Sequence, residues 1–358
     1  MQGFSIFRLP YSEEFTLISG QVLTYQECAS LSGQCGFVMA PFAVSDKQPI
    51  LLIQADIVRR DALETLCAEV QQQMEEIPLP TLLEPRMNQK GNSAADYHID
   101  FLNFHAHLMS GQFQKLVLSR SIDIERTDED TPIGLFQKAC ERYPRLFIAL
   151  AYTPQGGLWL TATPEILLAG SNGSWQTMAL AGTMPYANDL RWNDKNIQEQ
   201  RYVASYITQQ LERFTDSFTE KGPYTARAGH LAHLRSDFHF TLFNNARACE
   251  LIQSLHPTPA VCGLPKQGAF SFIQQFEHHQ RSYYSGFMGP LYIDGQTNLY
   301  VTLRCMQIFK NAFKLYAGGG LLTESREEQE WQETETKLDT MRLLLRRQHQ
   351  TTTHQNPQ

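Results

Sequence analysis

The sequence has no C-x-x-C among its seven cysteines, at 28, 35, 67, 140, 249, 262 and 305, and no H-E-x-x-H. An odd, dispersed set of thiols argues for a reducing compartment rather than a disulfide framework, and it disfavours zinc as well. Neither G-x-G-x-x-G nor G-x-x-x-x-G-K-[ST] occurs, so a phosphate-cradling nucleotide fold gains no support. No apolar run approaches the ~20 residues that span a bilayer. The opening MQGFSIFRLPYSEEF lacks the basic and continuous apolar regions of a signal peptide, and a cytoplasmic location is expected. There is no basic run with interleaved aromatics, and the net charge is −7, so no nucleic-acid partner is expected. Internal repeats and long low-complexity linkers are absent too.

What is present is a 358-residue chain with 42% hydrophobic residues, enough for a large core. Apolar runs with strand character are PILLIQADIV (49–58), KLVLSRSIDI (115–124), RLFIALAY (145–152) and GLWLTATPEILLAG (157–170). FMGPLYID, LYVTLRCMQIF and FKLYAGGG follow as a meander. Helical periodicity marks 59–77, 96–113, 195–214, 268–279 and 327–346, and part of 238–255. PLPTLLEPRMNQKGNS (78–93) is a candidate loop. Strand clusters separated by helices point to an α+β fold rather than strict βαβ alternation.

Several residues could carry chemistry. In the 195–214 helix, Val203, Ile207 and Leu211 mark a buried face, and Glu199 continues it toward the N-terminus. There the acid either stabilises the helix dipole or points into a cavity. In EWQETETKLDT (330–340), Glu330, Glu333 and Lys337 share one side of a helix, as a salt-bridged rim or as half of a metal site; Glu335 falls elsewhere and reads as a surface charge. One or two carboxylates plus substrate oxygens suffice for Mg²⁺. Arg304, read as mid-strand among apolar residues, needs an anion partner. YAGGGL (316–321) offers bare backbone N–H groups after a strand, or a simple turn. Lys115 opens a strand and can serve as a general base, although most strand lysines are only exposed at an edge. Glu165 follows a proline inside an apolar run, where burial would keep it protonated for general-acid work; an exposed turn acid is the other reading.

Taken in order, KLVLSR, TPEILL, LAGT (180–183), KNIQEQRYV, HLRSDF, LHPTPAVCGLPK, EHHQRSYYSGFMG, VTLRCMQ, YAGGGL and EWQETETK resemble the chorismate-utilising enzymes, most closely the isochorismate synthases. The likeness covers roughly 100–345. It implies a sandwich of two antiparallel sheets with outer helices. Residues 1–95 would be a family-variable portion of the same domain, 96–346 the catalytic core and 347–358 a disordered tail.

The resemblance makes Glu199 and Glu333 Mg²⁺ ligands, with Glu330 in the outer shell. It places Arg304 and Tyr316 on the enolpyruvyl carboxylate, and Ala181, Gly182, Thr183, Gly318, Gly319 and Lys337 around the substrate. His233 would stand near the leaving ring hydroxyl. Lys115 and Ala181 resemble the water-using members rather than the ammonia users, so no glutaminase subunit is expected, and a monomer is. The implied activity is that of an isomerase: water adds at C2 of chorismate with Lys115 as base, and the C4 hydroxyl leaves with a proton from Glu165. The product would feed menaquinone or siderophore biosynthesis. A salicylate synthase, which goes on to eliminate pyruvate, and a non-catalytic chorismate-binding subunit are the alternatives. Two positions depart from the family pattern: Gln200 where histidine is usual, and Asn196 where an acid often stands.

Overall fold

The computed structural model of the chain describes residues 2–83, 90–171, 173–187 and 189–345. The chain begins with five strands, β1 (Gln2–Arg8), β2 (Phe15–Tyr25), β3 (Gly36–Ala40), β4 (Ile50–Gln54) and β5 (Ile57–Asp61), then α1 (Leu63–Glu75) and α2 (Lys90–Met109). Next come β6 (Lys115–Glu125), α3 (Pro132–Arg142), β7 (Phe147–Thr153), β8 (Gly157–Thr163), β9 (Ile166–Ser171), β10 (Ser174–Pro185) and α4 (Asp194–Leu211). A hairpin of β11 (Phe218–Ala228) and β12 (Leu231–Phe240) leads to α5 (Ala248–Leu255), β13 (Gly263–Leu264) and α6 (Lys266–Phe276). The chain closes with β14 (Phe287–Leu291), β15 (Thr297–Val301), β16 (Cys305–Ile308), β17 (Ala312–Leu321) and α7 (Glu327–Leu345).

Every pairing between named strands is antiparallel. One sheet runs β5-β2-β1-β7-β8-β16-β17-β6-β13. The other runs β2-β4-β3-β14-β15-β9-β10-β12-β11, and the long β2 belongs to both. Residues before 62 therefore supply strands to both sheets. The fold is the expected α+β sandwich with helices outside.

Side chains fill three kinds of layer. Between the sheets, Phe7, Phe37, Phe147, Trp159, Tyr300 and Tyr316 form an aromatic core. Phe147 stacks on Tyr300 with ring centroids 4.3 Å apart. Outside the first sheet, α1, α3 and α7 cover Ile6, Leu150, Leu160 and Leu315. Outside the second, α4 and α5 cover Leu168, Trp175, Ala179 and Phe238. Strand β7 is buried at every position because it faces both a helix layer and the inner core. Its unbroken apolar reading follows from that, since neither face meets water. All seven cysteines are unpaired. Among the described residues no helix is long and apolar enough to cross a membrane.

Three expectations need correction. The helix expected over 59–77 begins only at Leu63, because Ile57–Asp61 forms an exposed edge strand on β2. Its arginines and aspartate blunt the sheet edge, as charges on edge strands do, and this hides the strand from a propensity reading. The run LYVTLRCMQIF is two strands rather than one: β15 lies in the second sheet, β16 in the first, and the chain changes sheets at Thr302–Arg304. The glycines of YAGGGL lie inside β17, paired with β6 (Gly318↔Ser119, Gly319↔Leu118, Gly320↔Val117). The expected tail, 347–358, lies outside the described residues.

Truncating Phe147 to alanine should destabilise the protein by about 3–5 kcal/mol, since the ring is fully enclosed between the sheets. Urea unfolding of wild type and Phe147→Ala checks this; a change under about 1 kcal/mol would contradict the described inter-sheet core.

Candidate active site

Two of the places where the chain changes sheets lie side by side. Between β8 and β9 it leaves the first sheet for the second at Pro164–Glu165. Between β15 and β16 it returns at Thr302–Arg304. The Val301 N–H donates to the Glu165 carbonyl at 2.9 Å, and the Ala162 N–H donates to the Arg304 carbonyl at 2.8 Å. A side chain at such a crossing has no place in either pleated face. Glu165 and Arg304 project instead into one cavity, which Ala181, Gly182, Thr183, Glu199, His233, Gly318, Gly320 and Lys337 also line.

Glu165 is buried, and its Oε1 has no hydrogen-bond partner. Burial pushes its carboxyl up to about 8, against the pull of Arg304 and Lys115. It is therefore a neutral acid at pH 7, able to give a proton. Arg304 is also buried, and its Nη2 donates to His233 Nε2 at 2.9 Å. That bond leaves the ring proton on Nδ1, which is 2.9 Å from the Gly182 carbonyl. Burial, and then Arg304, hold the imidazole well below its usual range. His233 is thus neutral and occupied at both nitrogens, a buttress for the guanidinium rather than a ready proton donor.

Glu199 enters from α4. Asn193 caps that helix, its side chain accepting from the Asn196 N–H at 2.9 Å. Burial acts to raise the Glu199 carboxyl, but Lys115, Lys195 and Lys337 together hold it below its ordinary range. Lys115 Nζ stands 3.0 Å from Glu199 Oε1, with no exposed surface on the lysine side chain. The other oxygen accepts from the Gly182 N–H at 3.3 Å. Gly182 takes a left-handed φ of 64°, beside a register shift in β10, and so turns its N–H toward the carboxylate. Of the departing residues, Gln200 donates to the Ala179 carbonyl at 3.1 Å, while the Asn196 Oδ1 is buried without a partner.

The three consecutive glycines set how closely β17 approaches these groups. A Cβ on Gly318 would lie 2.7 Å from the Tyr284 hydroxyl. One on Gly320 would collide with the Glu199 carboxylate and lie 2.9 Å from Lys115 Cε. On the opposite face, a Cβ on Gly319 would sit 3.4 Å from Glu330 Oε2 and 3.7 Å from Glu333 Oε1. The glycines act here by leaving space.

Helix α7 brings the remaining acids. Lys337 Nζ is 2.7 Å from Glu333 Oε1 and donates to the Gly318 carbonyl at 2.7 Å. Lys195 pairs with Glu330, which is almost fully enclosed and keeps Oε2 without a partner. Among the described residues no three acidic, histidine or cysteine groups form a ready-made metal cage. Each of the three carboxylates is drawn to a lysine instead. The donor set still suits a hard dication: Glu199, Glu333 and Glu330 all present oxygen, one buried oxygen lacks a partner, and Mg²⁺ needs only one or two carboxylates besides water and substrate.

Two readings from the sequence change. Tyr316 does not line this cavity; it stands behind the wall, its ring stacked 5.4 Å from that of Tyr284. Tyr284 faces the cavity in its place. Nothing in the periodicity of RSYYSG distinguishes one of its two tyrosines, so the sequence reading missed it. Glu335 is not a free surface charge, because it pairs with Arg120 and with Arg342 at 2.7 Å. Arg120 also lies over the Trp331 ring at 3.7 Å and donates to Thr334 at 2.7 Å. Together these contacts rivet α7 to β6. Glu165, Glu199, Arg304, His233 and Lys337 line the cavity, and Lys115 stands behind Glu199, against which it is paired; Gly319 does not line it and turns toward Glu330 and Glu333, which stand behind the glycine wall.

A family model described as "Chorismate binding enzyme" matches residues 33–346. Isochorismate synthase EntC of Escherichia coli K12 is 31% identical over 242 residues, covering 64% of this chain and 62% of that protein. Isochorismate synthase MenF of the same organism is 32% identical over 250 residues, covering 66% and 57%. The chain thus spans about three-fifths of the length of these curated relatives. A solved structure of a putative 2,3-dihydroxybenzoate-specific isochorismate synthase, DhbC, from Bacillus anthracis matches with a TM-score of 0.77 at 23% identity, covering 95% of both chains.

Gly320→Ala should disrupt the Lys115–Glu199 contact and abolish turnover of the chain's substrate, whereas Gly319→Ala, with only ordinary contacts to meet, should keep a near-native melting temperature. Equal behaviour of the two variants in a thermal melt and an activity assay would contradict this account of β17.

Proposed function

The chain belongs to the chorismate binding enzyme family, and from that premise we propose that it is a Mg²⁺-dependent isochorismate synthase. The observation that carries the proposal is that one cavity holds Glu165, a buried acid whose Oε1 has no partner and whose carboxyl burial pushes up to about 8, while Lys115 stands enclosed behind Glu199 of the same cavity's lining. An acid and a base on opposite sides of a bound ring are what a 2,4-exchange of hydroxyl requires. The relatives EntC and MenF, named as isochorismate synthases, support the same reading.

In the proposed reaction Lys115 works from its neutral amine form: it accepts a proton from water as the water oxygen bonds to C2 of chorismate, and the ammonium so formed is the one that pairs with Glu199. The ring double bonds shift, the C4–oxygen bond breaks, and Glu165 protonates the departing hydroxyl, which leaves as water. One water enters and one leaves, so the product is an isomer. Arg304, held by His233, faces a substrate carboxylate, and the Tyr284 hydroxyl lies beside it. Ala181 offers no nucleophile and leaves room for water. Glu199 and Glu333 would hold Mg²⁺, with Glu330 behind them through water. The bound ion would supply a positive anchor for the ring carboxylate and fix the ring's orientation. We further propose that no glutaminase subunit is needed, and that the product feeds menaquinone or siderophore biosynthesis.

Incubation of the purified protein with chorismate and Mg²⁺ should yield isochorismate without pyruvate; stoichiometric pyruvate and salicylate would point to a salicylate synthase, and no turnover to a binding subunit. Glu165→Gln should lower kcat by roughly 10²–10⁴-fold while chorismate still binds. Because Glu165 must be protonated to act, kcat/KM of the wild type should fall as pH rises through about 8. A profile flat to pH 9.5 would remove Glu165 as the acid.

A further inference from the structure

Of the three lysines that face the three carboxylates, Lys195 is the least firmly held. Lys115 is completely enclosed between β6 and α4. Lys337 keeps the Gly318 carbonyl as a second acceptor whatever happens at Glu333. Lys195, in the first turn of α4, has a side chain 19% exposed, and its only direct partner among the described residues is Glu330. Its position is nevertheless central. Glu199 follows Lys195 one helical turn later (i, i+4) on the same side of α4, and Glu330, its partner, lies beside Glu333 behind Gly319. One ammonium therefore feels all three carboxylates assigned above to the metal.

We propose that Lys195 is the resident cation of this carboxylate cluster, and that Mg²⁺ binds in competition with it. The inference rests on the Mg²⁺-dependent reading of the site. A flexible ammonium can neutralise buried acids while the protein holds no ion, preventing the cost of leaving Glu330 uncompensated. A dication cannot share that position, since even unit charges 4 Å apart repel by about 4 kcal/mol at the effective dielectric of a partly exposed site. The partial exposure of Lys195 gives its stem a way out to solvent, which Lys115 lacks. The lysine thus lowers metal affinity while protecting the metal-free fold.

The test is isothermal titration of Mg²⁺ into the metal-stripped full chain without chorismate. Lys195→Gln should bind Mg²⁺ more tightly than wild type, on the order of tenfold. Lys195→Arg should stay close to wild type, because it keeps the positive charge. The metal-free Lys195→Gln protein should also melt below wild type, and Mg²⁺ should raise its melting temperature by the larger amount. A second measurement needs no variant: in wild type, Mg²⁺ should increase acylation of Lys195 by an amine-reactive reagent several-fold, read by peptide mass spectrometry. Unchanged or weaker Mg²⁺ binding by Lys195→Gln, or protection of Lys195 by Mg²⁺, overturns the competition alone if wild type binds the ion. Failure of wild type to bind Mg²⁺ overturns both the competition and the metal-dependent reading.

Discussion

A lysine ammonium and a glutamate carboxylate 3.0 Å apart, almost entirely removed from water, fix the arrangement of three elements at once. Lys115 begins β6, Glu199 projects from α4, and Gly320 of β17 passes so close that a methyl group could not be added. Burying one of these charges alone would cost several kcal/mol. The strand, the helix and the glycine are therefore interdependent. The same contact sets the position of a carboxylate that lines the cavity, with the lysine enclosed behind it, which links the packing directly to the site.

Two neighbouring sheet crossings, at Pro164–Glu165 and Thr302–Arg304, complete that wall. Antiparallel sandwiches need strands that pass between layers, and the residues at those passages escape the pleat. Glu165 and Arg304 occupy adjacent passages, tied through backbone hydrogen bonds to neighbouring residues. Topology thus delivers an acid and a cation to one space, without any helix or loop devoted to holding them.

Much of this was legible in the sequence, for identifiable reasons. Strands buried on both faces, such as Phe147–Thr153, read as unbroken apolar runs. The buried stripe of α4 carries Glu199 by simple periodicity. The assignment of roles to Lys115, Glu165 and Glu333 came from ordered family motifs rather than from periodicity. What stayed hidden depends on long-range geometry. Thr302–Arg304 has no turn signal, because the chain changes partner strand there without reversing direction. The Glu335–Arg120 pair spans 215 positions of sequence, and no local pattern forecasts it. Tyr284 and Tyr316 are both aromatic and both buried, and only the packing of the turn at 282–285 against β17 decides which one faces the cavity.

The glycine triplet of β17 also says where this pocket can be reshaped. Gly318 and Gly320 back directly onto a tyrosine hydroxyl and an ion pair, so the wall they form has no freedom to accept a new side chain. Another part of the lining is built differently, from Ala181, Ala260, Leu303 and Val261, whose apolar side chains take no part in that ion pair. A designer seeking to reshape the cavity would leave the glycines alone and vary those four positions, because the glycine strand is a mould and the apolar residues are a lining.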